Sequence, residues 1–214
     1  MVKKPALHVP PPAYDVHPGV AMVQKFVAEL PGKTGKTLKQ WGELVDAQEF
    51  ETAAEKRAFL KAKHGFGTNA AAWVVEYTDD NPTWDADPAS YLACAVQFVD
   101  AMYAGGKEHL RPIFEKLLEV GRSLGDDVKV CPCKTMVPLY RGRVFAEIKP
   151  STRTRLDLGL ALTLDVPEQG KLKRSEQRIR KGDRLTHVIS LEKPGDVTAE
   201  VRTWLKAAYA AVGA

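Results

Sequence analysis

Residues 135–162 read TMVPLYRGRVFAEIKPSTRTRLDLGLAL, and this stretch decides the fold class. Every second residue is apolar in three successive runs, which is the period of a β-strand with one buried face. The alternating residues are Val137 and Leu139, then Val144, Ala146 and Ile148, then Leu156, Leu158, Leu160 and Leu162. Arg141-Gly142 turns the chain between the first two runs. The stretch therefore predicts neighbouring strands of an antiparallel sheet.

A helix, a fourth strand and a second helix flank this stretch. The first helix is predicted over Leu110–Leu118 and ends at Gly121, because its apolar residues recur every three or four positions. Alternation returns at Leu185–Leu191, and Asp196 is expected to cap a final helix. Residues 105–214 are thus predicted to form a two-layer α/β sandwich with an antiparallel sheet.

The N-terminal half carries helical signals only. Residues 1–18 form an irregular, proline-rich tail, and residues 19–104 form an all-helical module that ends near Gly105-Gly106. Its first helix is expected to end at Pro31-Gly32. Later helices begin at capping signals, listed here: Thr37 with Gln40, Thr52 with Glu55, and Asp87-Pro88. The predicted fold class is α+β.

Composition limits the kinds of protein this chain can be. Its 214 residues carry a net charge of +4 and three cysteines, which is too few for a disulfide framework. No apolar run approaches the length of a membrane span or a signal peptide. The sequence predicts a cytoplasmic protein with no membrane partner, and it leaves the oligomeric state open.

The stretch FLKAKHGFGTNAAAWVV, residues 59–75, predicts a helix, a glycine hairpin and a second helix. Gly65 suits the left-handed conformation that ends a helix, and Gly67 leaves the turn open to a close backbone. Amides at the start of the second helix attract phosphate. The predicted phosphate-binding residues here are Lys63, Gly65, Gly67, Thr68 and Asn69. The alternative is a tight αα-hairpin that only packs the module.

A second basic feature lies between Leu162 and Leu185. This predicted loop holds the candidate nucleic-acid contacts Lys171, Lys173, Arg174, Arg178, Arg180 and Lys181, followed by Arg184. Charge concentrated in one segment favours an acidic partner. The alternative is a solvated loop or helix.

The second face of the sheet is a third candidate site. Strict alternation points Arg143, Phe145, Glu147 and Lys149 away from the core, beside Tyr140 and the next strand's Arg155 and Asp157. Such a face can stack bases or line a pocket for a small anion. The predicted pocket residues are Tyr140, Arg143, Phe145, Arg155 and Asp157. Cross-strand ion pairs are the simpler alternative.

Two further motifs resemble a nucleotide-binding site and a metal site but do not meet the requirements of either. Gly32–Thr37 resembles a phosphate-binding P-loop, but it lacks the first glycine and follows a helix instead of a strand. Cys131-Pro132-Cys133 offers two metal ligands where a structural zinc site needs four. No nucleophile, base and orienting group share a recognisable spacing. No catalytic residue, metal or cofactor is therefore predicted.

Two segments resemble known families. Residues 33–75, with KTGKT, Trp41 and the glycine hairpin, resemble the bacterial domain of unknown function 4287. Residues 110–210, with YRGRVFAEIKP, LDLGL and WLKAAY, are similar to the domain of unknown function 5655. The second resemblance implies a loose link to predicted transport proteins, and neither implies catalytic residues.

These observations predict a non-enzymatic protein that binds nucleic acid, DNA or RNA, or another polyanion. The hairpin would hold phosphate, and the basic loop and the sheet face would extend the contact. The alternative is a carrier of a small anionic ligand with its pocket in the C-terminal domain. Polyanion binding would weaken steeply with salt, whereas pocket binding would depend on a few residues.

Overall fold

The computed structural model describes residues 14–78 and 87–213. The chain forms two compact units, a helical unit of Val16–Cys94 and an α+β unit of Met1–Asp15 with Ala95–Ala214. The predicted domain boundary after residue 104 lies ten residues beyond this division. The boundary after residue 104 stays a prediction of where two independently folding domains meet.

Four helices and the start of a fifth build the helical unit. They are α1 (Pro18–Thr34), α2 (Leu38–Asp46), α3 (Ala53–His64), α4 (Thr68–Thr78) and α5 (Pro88–Met102). Helix α4 packs on α2 and α3. A core of buried apolar residues joins α1 to α4, and it includes Leu30, Trp41, Val45, Leu60, Phe66, Ala71 and Val74.

The three capping signals read from the N-terminal half of the sequence are confirmed. Thr37 and Gln40 form a reciprocal capping box with bonds of 2.8 and 3.2 Å, and Thr52 and Glu55 form another with bonds of 3.0 and 3.2 Å. Asp87 Oδ1 accepts from the amides of Ala89 and Ser90 at the start of α5. These bonds satisfy amides that a helix leaves without internal partners.

The predicted end of α1 at Pro31-Gly32 is wrong. The helix continues through Pro31 to Thr34 and ends at Gly35, whose φ of 72° is left-handed and whose amide donates to Pro31 O at 2.8 Å. The segment that resembles a P-loop is thus a helix end. Thr34 Oγ1 accepts there from Trp41 Nε1 at 2.8 Å.

The α+β unit contains a six-stranded antiparallel sheet in the order β1-β2-β3-β4-β6-β5. The strands are β1 (Lys129–Val130), β2 (Val137–Arg141), β3 (Arg143–Lys149), β4 (Leu156–Leu160), β5 (Leu172–Arg174) and β6 (His187–Leu191). The four longer strands are those that alternation predicts. The short β1 and β5 add an edge on each side, so the sheet has six strands where four were expected.

Helices α6 (Arg111–Arg122) and α8 (Ala199–Ala211) belong to the same hydrophobic core as one face of the sheet. Leu158 and Ile189 are fully buried partners in this core. Gly121 lies inside α6, where a Cβ would come within 2.8 Å of Leu139 Cδ1 on β2. The glycine therefore serves close packing. This architecture confirms the α+β prediction.

The predicted helix start at Asp196 is also wrong. Asp196 ends a short 3₁₀ turn, Pro194–Asp196, and α8 begins at Ala199 after Thr198. The Asp196 carboxylate accepts from the amides of Glu192 and Lys193 and so caps the 3₁₀ turn, not α8. Another 3₁₀ helix, Gly105–Leu110, leads into α6. Among the described residues, no helix combines the length and apolar character needed to cross a bilayer.

Candidate anion-binding sites

The glycine hairpin of the helical unit is formed as the sequence predicts. Gly65 has a φ of 70°, and the amides of Gly65 and Phe66 both donate to Leu60 O, which closes the end of α3. Ala71 N donates to Gly67 O at 2.9 Å, so α4 begins after Gly67. The amides of Thr68 and Asn69 precede this first intrahelical bond and lie at an exposed turn.

Lysines surround this turn. Lys61 Nζ lies 3.3 Å from Thr68 Oγ1, and Lys63 is exposed on the last turn of α3. His64 is exposed as well, and its ring lies 4.8 Å from that of Trp41 and 5.1 Å from that of Phe59. The ammonium group of Lys61 thus lies beside Thr68, the first residue of α4.

A cleft of about 660 Å³ opens next to the hairpin, between α1 and the start of α4. Its apolar lining includes Phe26, Phe66 and Trp73, and the rings of Phe26 and Trp73 lie 5.1 Å apart. Lys25 and Lys33 line it as well, and both pair with Glu29, at 3.8 and 2.7 Å.

Sequence reasoning missed this cleft, although a signal was present. Met22, Phe26, Glu29 and Lys33 are spaced four, three and four residues apart, which places them on one face of α1. That face mixes apolar and charged residues, so the sequence pattern does not identify it as a buried face of the helix. Only the placement of α4 shows that it lines a cleft.

The basic segment 171–184 is more ordered than a loop. It contains β5 and a short helix, α7 (Glu176–Arg180), which corrects the expectation of one long loop. Acidic side chains bind three of its cations: Lys171 pairs with Asp196 at 2.7 Å, Lys173 with Glu168 at 3.7 Å, and Arg178 with Glu147 at 2.6 Å. Arg174 donates to the backbone oxygens of Leu164 and Val166.

These internal bonds leave few charges of this segment for a partner. Within the described residues, Arg180, Lys181 and Arg184 lie exposed without an ion pair, although Arg180 Nε donates to Glu176 O. The predicted nucleic-acid contacts Lys171, Lys173, Arg174 and Arg178 already have bonding partners within the chain. Whether they also contact a ligand stays a prediction.

The second face of the sheet is covered where Arg178 crosses it. Arg178 Nη1 would lie 3.7 Å from a Cβ on Gly159, and the Glu147 carboxylate beneath is largely buried. Burial is the largest single influence and lowers the pKa of Arg178, but its bonds and charge attraction to Glu147 and Asp183 together raise the pKa overall. This part of the face therefore resembles the ion-pair alternative.

The predicted pocket residues do not share one cavity. Arg155 and Asp157 pair at 3.0 Å and line a cleft with Lys171, Lys173 and Ser190. Arg143 is exposed beside the Gly142 turn, outside that cleft. Carboxylates of Asp157 and Asp196 also line the cleft, so its charge is largely balanced.

The predicted outward orientation of Phe145 is wrong. The register shifts between β2 and β3, because Leu139 pairs with Ala146 while Tyr140 pairs with Val144. Phe145 is the extra residue of this β-bulge, which breaks the alternation. Its side chain is fully buried and lies 5.5 Å from the ring of Tyr209.

Tyr140 and two cysteines occupy a largely dry region near the end of β1. Burial raises the pKa of Cys131 and of Tyr140 to about 12, and that of Cys133 to about 11. Such thiols stay protonated, which disfavours both nucleophilic and metal chemistry. Within residues 14–78 and 87–213, no group of three or more His, Cys, Asp or Glu side chains is placed to hold a metal.

Family comparisons cover both units. The model of the family described as domain of unknown function DUF5655 matches residues 99–211, and that of the domain of unknown function DUF4287 matches residues 22–80. No curated protein and no solved structure matches the chain. The chain belongs to the DUF5655 family, with a DUF4287 domain on the N-terminal side of the family region.

Proposed function

We propose that this protein binds nucleic acid without catalysing a reaction, with the glycine hairpin as its phosphate contact. One observation carries the proposal: the exposed amides at the start of α4 lie beside Lys61 and open next to a cleft with aromatic residues in its lining. A nucleic-acid strand offers a phosphate and a base side by side, which matches this pair of features. The protein would do this in the cytoplasm, where its three thiols stay reduced.

The hairpin suits a phosphate because no described residue crowds its two glycines. A Cβ at Gly65 or Gly67 would have no neighbour within 4 Å, so the turn is open on its outer side. The amides there are donors at the positive end of an 11-residue helix. Lys61 and Lys63 add charge that is not specific to sequence.

The cleft suits a base because Phe26 and Trp73 are only partly buried there. Stacking of a base on an aromatic ring contributes about 1–3 kcal/mol and tolerates every base. A strand that reaches into a cleft must be unpaired. We therefore expect single-stranded DNA or RNA to bind more tightly than duplex.

The alternative of a small anion at Arg155 and Asp157 fits the geometry less well. The cations of that cleft already face carboxylates, as Lys171 faces Asp196. An incoming anion would have to displace them.

Gly67→Asp is the sharpest test of the proposal. Asp is a favoured N-cap residue, so α4 keeps its stability, but the added carboxylate occupies the place of the phosphate. Fluorescence anisotropy with labelled 12-mer single-stranded DNA and RNA should show binding weakened about tenfold, or about 1.4 kcal/mol. Gly67→Asn is the control, because it adds the same shape without charge and should retain most of the affinity.

A salt series with the wild-type protein gives an independent check. Each phosphate neutralised on a single strand contributes a slope of about −0.7 in log K against log salt. A slope near −2 or steeper is expected. If Gly67→Asp and the wild type bind equally, or neither binds at low salt, the proposal is wrong.

A further inference from the structure

We propose that a second site, in the α+β unit, binds a small phosphorylated ligand that carries two or more negative charges. The site is a cavity of about 600 Å³, here called the cationic cavity. Its polar lining consists of Lys107, Lys134, Thr135, Lys149, Ser151 and Arg153. These residues come from the 3₁₀ helix before α6, the segment before β2 and the segment at the end of β3.

The charge of the cationic cavity is unbalanced. Among the residues that the structure describes, four cations line it and no carboxylate does, in contrast to the cleft at Arg155 and Asp157. Within the described part of the chain, none of the four makes an ion pair, whereas Lys171, Lys173 and Arg178 of the same unit all do. Like charges gathered in one concave site repel each other and raise the local concentration of anions. A multiply charged anion would relieve this repulsion.

One of the cations is held in place by the wall of the cavity. Lys107 Nζ donates to Pro150 O at 2.9 Å, a bond that fixes the ammonium group and leaves it further donors. Arg153 is exposed near Gly106, and its Cδ lies 3.9 Å from the place where a Cβ on Gly106 would be. Lys107 and Lys149 are half-buried, which limits their motion. Less ordering entropy is therefore lost when a ligand binds.

The donors match a phosphoryl group. The Arg153 guanidinium can offer two parallel donors to phosphate oxygens, and the ammonium groups act as point charges. Hydroxyls of Thr135 and Ser151 can add neutral hydrogen bonds. A volume of about 600 Å³ lies within the usual range for small-molecule sites. This site is separate from the hairpin and does not depend on the proposed nucleic-acid function.

Isothermal titration with inorganic pyrophosphate tests the cationic cavity. The variant Lys134→Gln/Arg153→Gln removes two exposed cations of the site and should weaken binding at least tenfold. The control Arg202→Gln/Lys206→Gln removes two exposed cations from α8 and should change the affinity less than twofold. Equal losses in both variants, or no heat with millimolar pyrophosphate, would overturn the proposal.

A second arm separates a small ligand from the end of a nucleic-acid strand. Trinucleotides with a 5′-phosphate or a 5′-hydroxyl are titrated into the same proteins. If only the 5′-phosphorylated strand binds at Lys134 and Arg153 while pyrophosphate does not, the small-ligand assignment is wrong. Gly67→Asp should leave the pyrophosphate isotherm unchanged, so failure of the hairpin proposal and failure of this one are distinguishable.

Discussion

Arg178 and Glu147 show how a single ion pair closes the second face of the sheet. The side chain of Glu147 is 9% exposed and that of Arg178 is 27% exposed, and their atoms meet at 2.6 Å. A carboxylate with so little solvent depends on its partner, because an unpaired buried charge is costly. The pair joins α7 to the sheet, beside the backbone pairing of β5 with β6.

Arg178→Met should destabilise the protein by about 2–3 kcal/mol, because it leaves the Glu147 carboxylate without its cation. The double variant Glu147→Gln/Arg178→Met should recover most of this loss, since no buried charge remains. Urea unfolding of both variants measures the difference. If the double variant is as unstable as Arg178→Met, packing and not charge explains the effect.

Substitution by alanine should have opposite effects on stability at two glycines that lie within helices. Gly121→Ala places a Cβ 2.8 Å from Leu139 Cδ1 and should cost about 1–3 kcal/mol through overpacking. Gly32→Ala has no neighbour within 4 Å in α1 and should stabilise by about 0.5–1 kcal/mol. Thermal unfolding of each single variant compares them. Equal effects at both sites would show that β2 does not restrict Gly121.

At the scale of elements, the sequence predicted the helix starts and strands that depend on interactions between residues close together in the chain. Both capping boxes and the four longer strands follow from residues close together in the sequence. The short strands β1 and β5 and the helix α7 do not, because two, three and five residues carry too little period to recognise. The bulge at Phe145 depends on how β3 pairs with β2, and the cationic cavity depends on three segments that are distant in the sequence. A pattern within one short stretch of sequence indicates neither.

Asp196 joins β5 to the turn before α8 and makes the fold sensitive to acid. Its bond to Lys171, followed by the amides of Glu192 and Lys193, lowers its pKa from 3.8 to about 2. A lowered pKa in the folded state gives stability that is present above about pH 4 and is lost as the pH falls towards 2. Because the group is partly solvated, we expect a contribution of about 1 kcal/mol.

Asp196→Asn should therefore reduce stability by about 1 kcal/mol at pH 6 and by much less at pH 2, where the wild-type carboxyl is itself partly protonated. Urea unfolding at intervals between pH 2 and pH 6 gives the profile. Lys171→Met removes the main cause of the pKa shift and should flatten the profile in the same way. A constant difference at every pH would contradict this origin.

At the scale of the whole molecule, charge and apolar core are divided between the two units. Residues 16–94 carry eight Lys and Arg against eleven Asp and Glu, a net charge of −3, so the rest of the chain carries +7. The basic character of the protein thus resides in the α+β unit. The helical unit has a negative net charge, but its hairpin and the adjacent cleft carry several lysines.

Each unit also has a hydrophobic core of its own, which predicts two separable unfolding transitions. Leu60 is fully buried in the core of the helical unit and Leu158 in that of the α+β unit. Each change to alanine should cost about 2–5 kcal/mol in its own unit. Scanning calorimetry should therefore show Leu60→Ala lowering one transition temperature and Leu158→Ala the other. If both variants shift one common transition, the units unfold together, because neither core then suffices to keep its unit folded alone.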